Sequence, residues 1–240
     1  LMIVDKLYDD KSAKAMLTHT LDEMKKGGMY DLVDGGFCRY STDEKWLVPH
    51  FEKMLYDNAL LCEVYTNAYI TYKDTSYLEV AKGCADFWLN HMSEDNLFYS
   101  ASDADSDAEE GTYFVYKYGE VYRLLEDNGY SDIEIMLEQM SITKEGNFEG
   151  KNIIRFENGE VPAYFEDVKI LFQGLRKTRA YPFCDKKVQV SWSCMMIKAL
   201  FTLGQVDAKY TSQAQKSLDA LMQALYVNRK LHHTTLIHKE

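Results

Sequence analysis

Residues 50–72, HFEKMLYDNALLCEVYTNAYITY, are the stretch of the sequence that says most about the fold. Drawn as a helix, this stretch carries apolar side chains around most of its circumference, which is typical of a helix buried on nearly all sides. Pro49, which directly precedes this stretch, favours the start of a helix at this point. Its first two turns carry His50, Lys53 and Asp57, which fall within one sector at about 100° per residue. We therefore predict a buried helix whose polar first turns face a cavity.

The same periodicity recurs on both sides of this stretch and predicts an array of helices. Helices are expected at 10–26, 76–92, 117–126, 131–140, 163–178, 187–203 and 209–227. Residues 27–48 read as a loop with short extended pieces. The segments LFYSASDADS (97–106) and TYFVYK (112–117) are predicted to form a β-hairpin. No alternation of strands and helices indicates a nucleotide-binding sheet, and the glycines lack phosphate-loop spacing.

Composition supports a mainly helical chain and excludes several classes of function. Among 240 residues there are only 3 prolines and 13 glycines, too few for the turns of an all-β fold. The net charge of −11 argues against nucleic acid as a partner. No apolar run reaches the roughly 20 residues of a membrane span, and no signal peptide begins the chain. The sequence therefore predicts a soluble, cytoplasmic protein with no membrane partner.

The five cysteines are odd in number and form no CxxC motif. This pattern predicts free, buried thiols in a reducing compartment rather than disulfides or a zinc site. We expect no bound metal and no cofactor.

A first polar cluster surrounds the start of the predicted helix. It combines acid, base and aromatic side chains: Arg39, Tyr40, Asp43, Glu44, Trp46, His50, Glu52, Lys53, Tyr56 and Asp57. One interpretation is the wall of an active site, with His50 near Asp57 as an oriented imidazole base. The other is a buried network of ion pairs that joins a loop to a helix, because buried charges need partners.

A second cluster lies in the acidic segment that contains Asp103 and Asp105. Its D-x-D-x-D start resembles a calcium loop, but Ala108 stands where that loop needs glycine and Phe114 where it needs glutamate. The alternatives are a solvated acidic turn, or carboxylates that face a cleft beside the aromatic ring of Tyr99. Two weaker groups follow, GNFEGKN with Glu149 and DKKVQVSW with Trp192.

Four segments occur in an order that resembles a known family. They are GGMYDLVDGGFCRYSTDEKWLVPHFEKMLYDNALL (27–61), FYSASDADSDAEEGTYFVY (98–116), GNFEGKN (146–152) and DKKVQVSWSCMMIKAL (185–200). They resemble the C-terminal part of a thioredoxin-domain-containing family that includes bacterial YyaL and spermatogenesis-associated protein 20. The resemblance covers about residues 19–235.

The resemblance implies a fold and a domain organisation. The fold is a mainly all-α, partial (α/α)6 toroid of helical hairpins with short β-hairpin insertions, similar to six-hairpin glycosidases and N-acylglucosamine 2-epimerases. It implies a single toroid domain over 1–240, a fragment without the upstream thioredoxin-like domain and the closing helices. Such an open toroid could form a homo-oligomer. Two departures stand out, because family members usually have His in place of Cys38 and Trp-Asn-Gly in place of Trp192-Ser193-Cys194.

Two functions are compatible with these observations. The first is a carbohydrate-active domain, an epimerase or a glycoside hydrolase, that takes a small-molecule ligand such as a sugar. Its candidate catalytic residues are Asp57, His50, Asp103 and Asp105. Its candidate substrate-binding residues are Arg39, Tyr40, Trp46, Lys53, Tyr99, Glu149 and Trp192. The alternative is a non-catalytic scaffold that binds a protein or supports a thioredoxin-like redox domain.

Overall fold

The computed structural model of the protein describes residues 1–106 and 109–235. The helices in these ranges are α1 (Met2–Tyr8), α2 (Lys11–Lys25), α3 (Leu55–Tyr72), α4 (Thr75–His91), α5 (Tyr118–Asp127), α6 (Ile133–Gln139), α7 (Phe165–Arg176), α8 (Val190–Leu203) and α9 (Lys209–Leu225). The prediction of a mainly helical chain is confirmed. Helix α1 lies outside every helix predicted from periodicity.

The strands are short and most of them form hairpins. They are β1 (Tyr40–Ser41), β2 (Pro49–His50), β3 (Lys53–Met54), β4 (Ser93–Glu94), β5 (Leu97–Phe98), β6 (Ala101–Ser102), β7 (Asp105–Ser106), β8 (Glu109–Glu110), β9 (Cys184–Asp185), β10 (Tyr226–Val227) and β11 (Lys230–Leu231). Strands β1–β2, β4–β5, β7–β8 and β10–β11 pair two by two, and β3, β6 and β9 form an antiparallel sheet with β6 in the centre.

The prediction that a helix begins at residue 50 is wrong, since α3 begins at Leu55. Before it, Pro49–His50 pairs with Tyr40–Ser41, and Lys53–Met54 pairs with Ala101–Ser102. Strand pairing with distant segments outweighs the local helical pattern at these positions. His50 and Lys53 therefore do not share a helical sector with Asp57.

The predicted hairpin between 97–106 and 112–117 is also wrong. Strand β6 pairs with β3 and β9 instead, and Asp105–Ser106 pairs with Glu109–Glu110. The later segment contributes a single bridge, from Tyr116 to Asn152. A two-residue strand carries too little local information to determine its partner.

The chain divides into two compact units. Unit 1 contains Leu1–Asp34, Cys38–Phe51 and Ala104–Tyr181, and unit 2 contains Gly35–Phe37, Glu52–Asp103 and Pro182–Glu240. Residues 107–108 and 236–240 of these ranges lie outside the described part. The single-domain organisation stays a prediction.

Helices α5, α6 and α7 of unit 1 supply most of a large apolar cluster. The buried members include Val121, Leu125, Leu137, Val168 and Phe172. Each side chain of this size contributes about 1.5–3 kcal/mol when it is fully buried, so the cluster contributes to the stability of the unit.

Helices α3, α4, α8 and α9 of unit 2 form two helical hairpins, and α3 packs against both α4 and α8. Two residues, Lys73 and Asp74, link α3 to α4, and the Asp74 carboxylate caps α4 by accepting the Ser76 N–H at 2.9 Å. The loop at 35–37 packs against this unit, because the backbone at Gly35 closely approaches the backbone of α4 at Gly83. Gly35 has φ +82°, and a Cβ there would lie 2.4 Å from the carbonyl oxygen of Gly83, so only glycine fits.

No helix within residues 1–106 and 109–235 has both the length and the apolar character that crossing a membrane requires.

The five free cysteine thiols differ in their exposure to solvent. Cys38, Cys62 and Cys84 are buried, Cys184 is half-buried and Cys194 is exposed, so the expectation of buried thiols is wrong for Cys194. Burial raises the pKa of the Cys62 thiol to about 12 and that of Cys184 to about 11. A raised pKa lowers the fraction of reactive thiolate at neutral pH.

We therefore expect iodoacetamide at pH 8 to alkylate Cys194 at least about tenfold faster than Cys184, with Cys62 and Cys84 protected until the chain unfolds. Peptide mass spectrometry over a time course measures the order, and repeating it in denaturant is the control. Equal labelling of Cys62 and Cys194 in the native chain would contradict the burial of α3.

Candidate functional site

The sheet β3–β6–β9 in unit 2 has two different faces. In its register Lys53 lies opposite Ser102, and Ser102 lies opposite Cys184, so these three residues share the inner face. Met54, Ala101 and Asp185 share the outer face. Since side chains alternate along a strand, Glu52, Asp103 and Phe183 belong to this outer face as well.

The outer face lines an open groove with a volume of about 210 Å³. Its lining residues are Glu52, Met54, Ser100, Ala101, Asp103, Phe183, Asp185 and Trp192. We call this surface the acidic groove. Among the described residues, its lining combines three carboxylates with two aromatic side chains and includes no lysine or arginine. Of the residues predicted from sequence, the groove brings together Asp103 and Trp192, with Glu52 of the first polar cluster.

The aromatic side chains of the acidic groove present accessible ring surface. Phe183 is 72% exposed. The Trp192 ring is half-buried and packs against Tyr56, with ring centroids 4.9 Å apart at an angle of 60°. This contact holds the indole in place at the edge of the groove.

Hydrogen bonds to the backbone hold the strands that carry Asp103 and Asp185 in place. The Asp103 N–H donates to the Phe183 carbonyl at 2.8 Å, which ties β6 to β9. The Ser100 hydroxyl donates to the Lys187 carbonyl at 2.6 Å. Asp185 accepts the Lys187 N–H at 3.1 Å, and its other oxygen lies 3.3 Å from the Lys187 ammonium.

Lys53, on the inner face, is completely buried. Its ammonium donates to the Gly35 carbonyl at 2.8 Å and lies 4.1 Å above the Phe87 ring. The structure therefore shows Lys53 anchoring the 35–37 loop, and its predicted role in substrate binding stays a prediction.

Tyr99 and Asp57 do not line the acidic groove. Tyr99 is 9% exposed, donates to Glu94 at 2.7 Å and lies under the Lys186 ammonium at 5.0 Å. Burial and the bond to Glu94 raise the pKa of its hydroxyl. Asp57 is half-buried in the first turn of α3.

In unit 1, four of the predicted residues lie on or beside short hairpins. Tyr40 stacks on His50 with ring centroids 5.0 Å apart. His50 Nδ1 lies 2.7 Å from the carboxylate of Glu110, whose register partner is Asp105. Arg39 is exposed, and its N–H is directed at the His50 carbonyl at 3.4 Å. The expected orienting partner of His50 was Asp57, whereas the structure assigns that role to Glu110.

The remaining predicted residues, Trp46 and Glu149, occupy turns of unit 1. Trp46 has φ +60°, and its carbonyl accepts from the Arg155 guanidinium at 3.3 Å. Glu149 is exposed at the tip of a turn with φ +47°.

A buried ionic network in unit 1 was not found from the sequence. The Arg176 guanidinium donates to Asp31 and Asp34, both at 2.7 Å, and to the Tyr116 hydroxyl at 2.8 Å. The rings of Tyr113 and Phe114 lie 5.3 Å from it. Burial alone would lower the pKa of Arg176, but the attraction of Asp31 and Asp34 outweighs it and raises the pKa.

The cavity beside this network measures about 20 Å³. That volume holds about one water molecule, so it cannot admit a sugar. Within residues 1–106 and 109–235, no three His, Cys, Asp or Glu side chains are grouped as a metal site. The acidic segment that starts at Asp103 contains Asp107 and Ala108, which lie outside the described residues.

Comparison with known proteins identifies the relatives of the chain. No model of a known protein family matches it. Spermatogenesis-associated protein 20 of Homo sapiens is 34% identical over 235 residues, which cover 82% of this chain and 30% of that protein. The Mus musculus protein is 35% identical over 234 residues, with 82% and 29% covered. The chain is a homologue of spermatogenesis-associated protein 20.

The chain spans about 30% of the length of these relatives. Among solved structures, it is similar to a sugar epimerase from a ruminal bacterium, with TM-score 0.39, 12% identity and coverage of 97% of this chain and 76% of the other. It is also similar to cellobiose 2-epimerase from Spirochaeta thermophila, with TM-score 0.37, 12% identity and coverage of 96% and 58%.

The structure places the two departures noted for this spermatogenesis-associated protein 20 homologue in different surroundings. Cys38 is buried, and its N–H donates to the Met29 carbonyl at 2.8 Å. Ser193 is buried in α8, whereas Cys194 beside it is exposed. The two positions at which family members usually have a polar His or Asn side chain, Cys38 and Ser193, are therefore both buried.

Proposed function

We propose that this stretch of chain is a carbohydrate-active domain that binds a sugar ring in the acidic groove, with epimerase-like or hydrolase-like chemistry. The observation that carries the proposal is the outer face of the sheet, where Glu52, Asp103 and Asp185 lie on one concave surface with Phe183 and Trp192. Carboxylates and aromatic rings, the side-chain types that sugar recognition requires, are thus assembled within one unit.

The chemistry of the lining residues suits a sugar. Carboxylate oxygens accept hydrogen bonds from neighbouring hydroxyl groups, and an ionised carboxylate offers about four acceptor positions. Aromatic rings supply a flat apolar surface for the C–H face of a pyranose. A volume of about 210 Å³ lies below the roughly 300 Å³ at which pockets for drug-sized ligands begin, which favours a single ring.

The carboxylates of the acidic groove also supply candidates for proton transfer. Both epimerisation and glycoside hydrolysis need a positioned acid and a positioned base. Asp103 is the first candidate because it is exposed on the groove and its strand is fixed by the bond to Phe183. Asp185 is the second, with its oxygens oriented by Lys187.

The charge of the groove restricts the sugars that it accepts. The three carboxylates that line the groove give it a negative charge that repels phosphate and carboxylate groups. We expect neutral monosaccharides such as glucose to bind at least about tenfold more tightly than glucose 6-phosphate, which corresponds to about 1.4 kcal/mol. Calorimetric titration of both compounds measures the ratio, and equal affinities would contradict the assignment of this face.

Two substitutions test the proposal directly. Asp103→Asn and Trp192→Ala are each expected to weaken sugar binding by at least about tenfold, since each removes a direct contact with the ring. Asp95→Asn is the matched control, because Asp95 is an exposed carboxylate outside the groove. Binding is measured by titration with a panel of mono- and disaccharides, and turnover by product analysis.

No binding by the wild-type chain across the panel would reject the carbohydrate function. The alternative is a scaffold, which the buried pairing of Arg176 with Asp31 and Asp34 supports, since charges held in such a network stabilise loops and are closed to ligands. In that case Asp103→Asn and Trp192→Ala would leave every small-molecule titration unchanged.

A further inference from the structure

His50 is held in one orientation by a ring stack. It lies on β2 directly opposite Tyr40 on β1, and the two rings are 5.0 Å apart at an angle of 24°. The hairpin register places both side chains on the same face. The stack therefore fixes the plane of the imidazole.

A carboxylate from a distant hairpin fixes the tautomer of the same ring. The Glu110 oxygen lies 2.7 Å from His50 Nδ1, and the Phe51 N–H is directed at that oxygen at 3.4 Å. An ionised carboxylate only accepts hydrogen bonds, so Nδ1 carries the hydrogen and the lone pair of the neutral ring is on Nε2. This is the arrangement in which a carboxylate orients a histidine base.

Further charged side chains lie on the hairpin that carries Glu110. Asp105 is the register partner of Glu110, so a second carboxylate lies on the same hairpin. The neighbouring Glu109 is paired with Lys151 at 3.1 Å, which draws that cation to Glu109. Lys151 is thus engaged by Glu109, while the carboxylate of Glu110 lies against His50.

Stability does not account for this pair. The side chains of His50 and Glu110 are 28% and 45% exposed, and ion pairs as exposed as this contribute little to folding. Tyr40 is 50% exposed beside them. A proton-transfer group has to be within reach of its ligand, and both side chains of this pair are accessible from solvent.

We propose that His50 and Glu110 form a proton-transfer pair, in which His50 Nε2 is the proton acceptor and Glu110 is the positioning residue. The substrate class is a small hydroxyl or carbonyl compound with a flat face that can lie against Tyr40. An Nε2–H bond forms as an O–H bond, or a C–H bond next to a carbonyl, breaks. The electron pair stays on the substrate oxygen or enters the enolate, and the proton returns from Nε2. The pair lies within unit 1, and the inference does not depend on sugar binding in the acidic groove.

The first test is spectroscopic and uses the wild-type chain. Long-range proton–nitrogen correlation spectra of the histidine side chains report which ring nitrogen carries the hydrogen. We expect His50 in the Nδ1–H tautomer, and Glu110→Gln to abolish that preference because an amide both donates and accepts. A wild-type His50 in the Nε2–H tautomer would overturn the proposal even if no variant could be made.

The second test measures the reactivity of Nε2 with the probe p-nitrophenyl acetate, an ester that imidazole hydrolyses. His50→Gln is expected to remove at least about 80% of the hydrolysis above the solvent rate, and Glu110→Gln to lower it at least about fivefold. Glu109→Gln is the matched control, with the same change of charge one residue away. His19, exposed on α2, serves as an internal reference for carbethoxylation by diethyl pyrocarbonate. Equal rates for Glu110→Gln and Glu109→Gln would refute the positioning role.

Discussion

Replacing Arg176 with methionine is expected to lower the free energy of unfolding by about 3–5 kcal/mol, the largest effect of any single substitution proposed for this chain. Arg176 is 3% exposed and binds Asp31, Asp34 and the Tyr116 hydroxyl. Methionine has a similar length but no charge, so it leaves two carboxylates without their cation in a site with little access to water. Equilibrium unfolding in urea measures the loss.

Arg123→Met provides a control, and substitution of the two aspartates provides a rescue of the stability lost in Arg176→Met. Arg123→Met makes the same change at an exposed position and is expected to stay within about 0.5 kcal/mol of wild type. Adding Asp31→Asn and Asp34→Asn to Arg176→Met removes both buried charges and is expected to recover part of the loss. If Arg176→Met and Arg123→Met unfold at the same urea concentration, the network does not hold unit 1 together.

The second large effect is expected at Asn58, where alanine should lower the free energy of unfolding by about 3 kcal/mol. Asn58 is fully buried in α3 and serves both polar groups of the Phe37 backbone. Its oxygen accepts the Phe37 N–H at 2.6 Å, and its amide donates to the Phe37 carbonyl at 2.9 Å. Alanine removes both of these hydrogen bonds, and a buried hydrogen-bonding group that loses its partner costs about 1–3 kcal/mol.

Asn90→Ala is the matched control, because Asn90 is exposed on α4 and gains the same helix propensity. Hydrogen exchange adds a local measurement. The amide of Phe37 is expected to lose protection in Asn58→Ala before the amides of α3 do, because its acceptor is the side chain that was removed. Unchanged protection at Phe37 would show that other contacts hold the 35–37 loop.

Local periodicity was sufficient to predict most helices, since the apolar positions of one helix lie within a few residues of each other. The prediction at 76–92 corresponds to Thr75–His91, and that at 209–227 to Lys209–Leu225. It failed at residues 50–54, where short strands pair with partners about 10 residues upstream and about 50 residues downstream. A pattern in one segment contains no information about such partners.

The candidate site also contains residues that could be predicted from the sequence and residues that could not. Asp103 and Trp192 were predicted from residue type, and both line the acidic groove. Phe183 was not, because an aromatic residue in a loop has no signal until strand pairing shows which face it shares. His50 was predicted as an oriented base, but with Asp57 as its partner rather than Glu110, which lies 60 residues away.

By itself, the sequence determined the helical class, the kinship with spermatogenesis-associated protein 20 and the residue types of a polar site, because these depend on composition, periodicity and motif order. Only the tertiary structure decided which charges meet. Arg176 and Asp31 are 145 residues apart in the chain, and their contact depends on how α7 packs. Ionic contacts of this kind depend on how apolar surfaces pack. The local sequence around one partner therefore contains no information about the other.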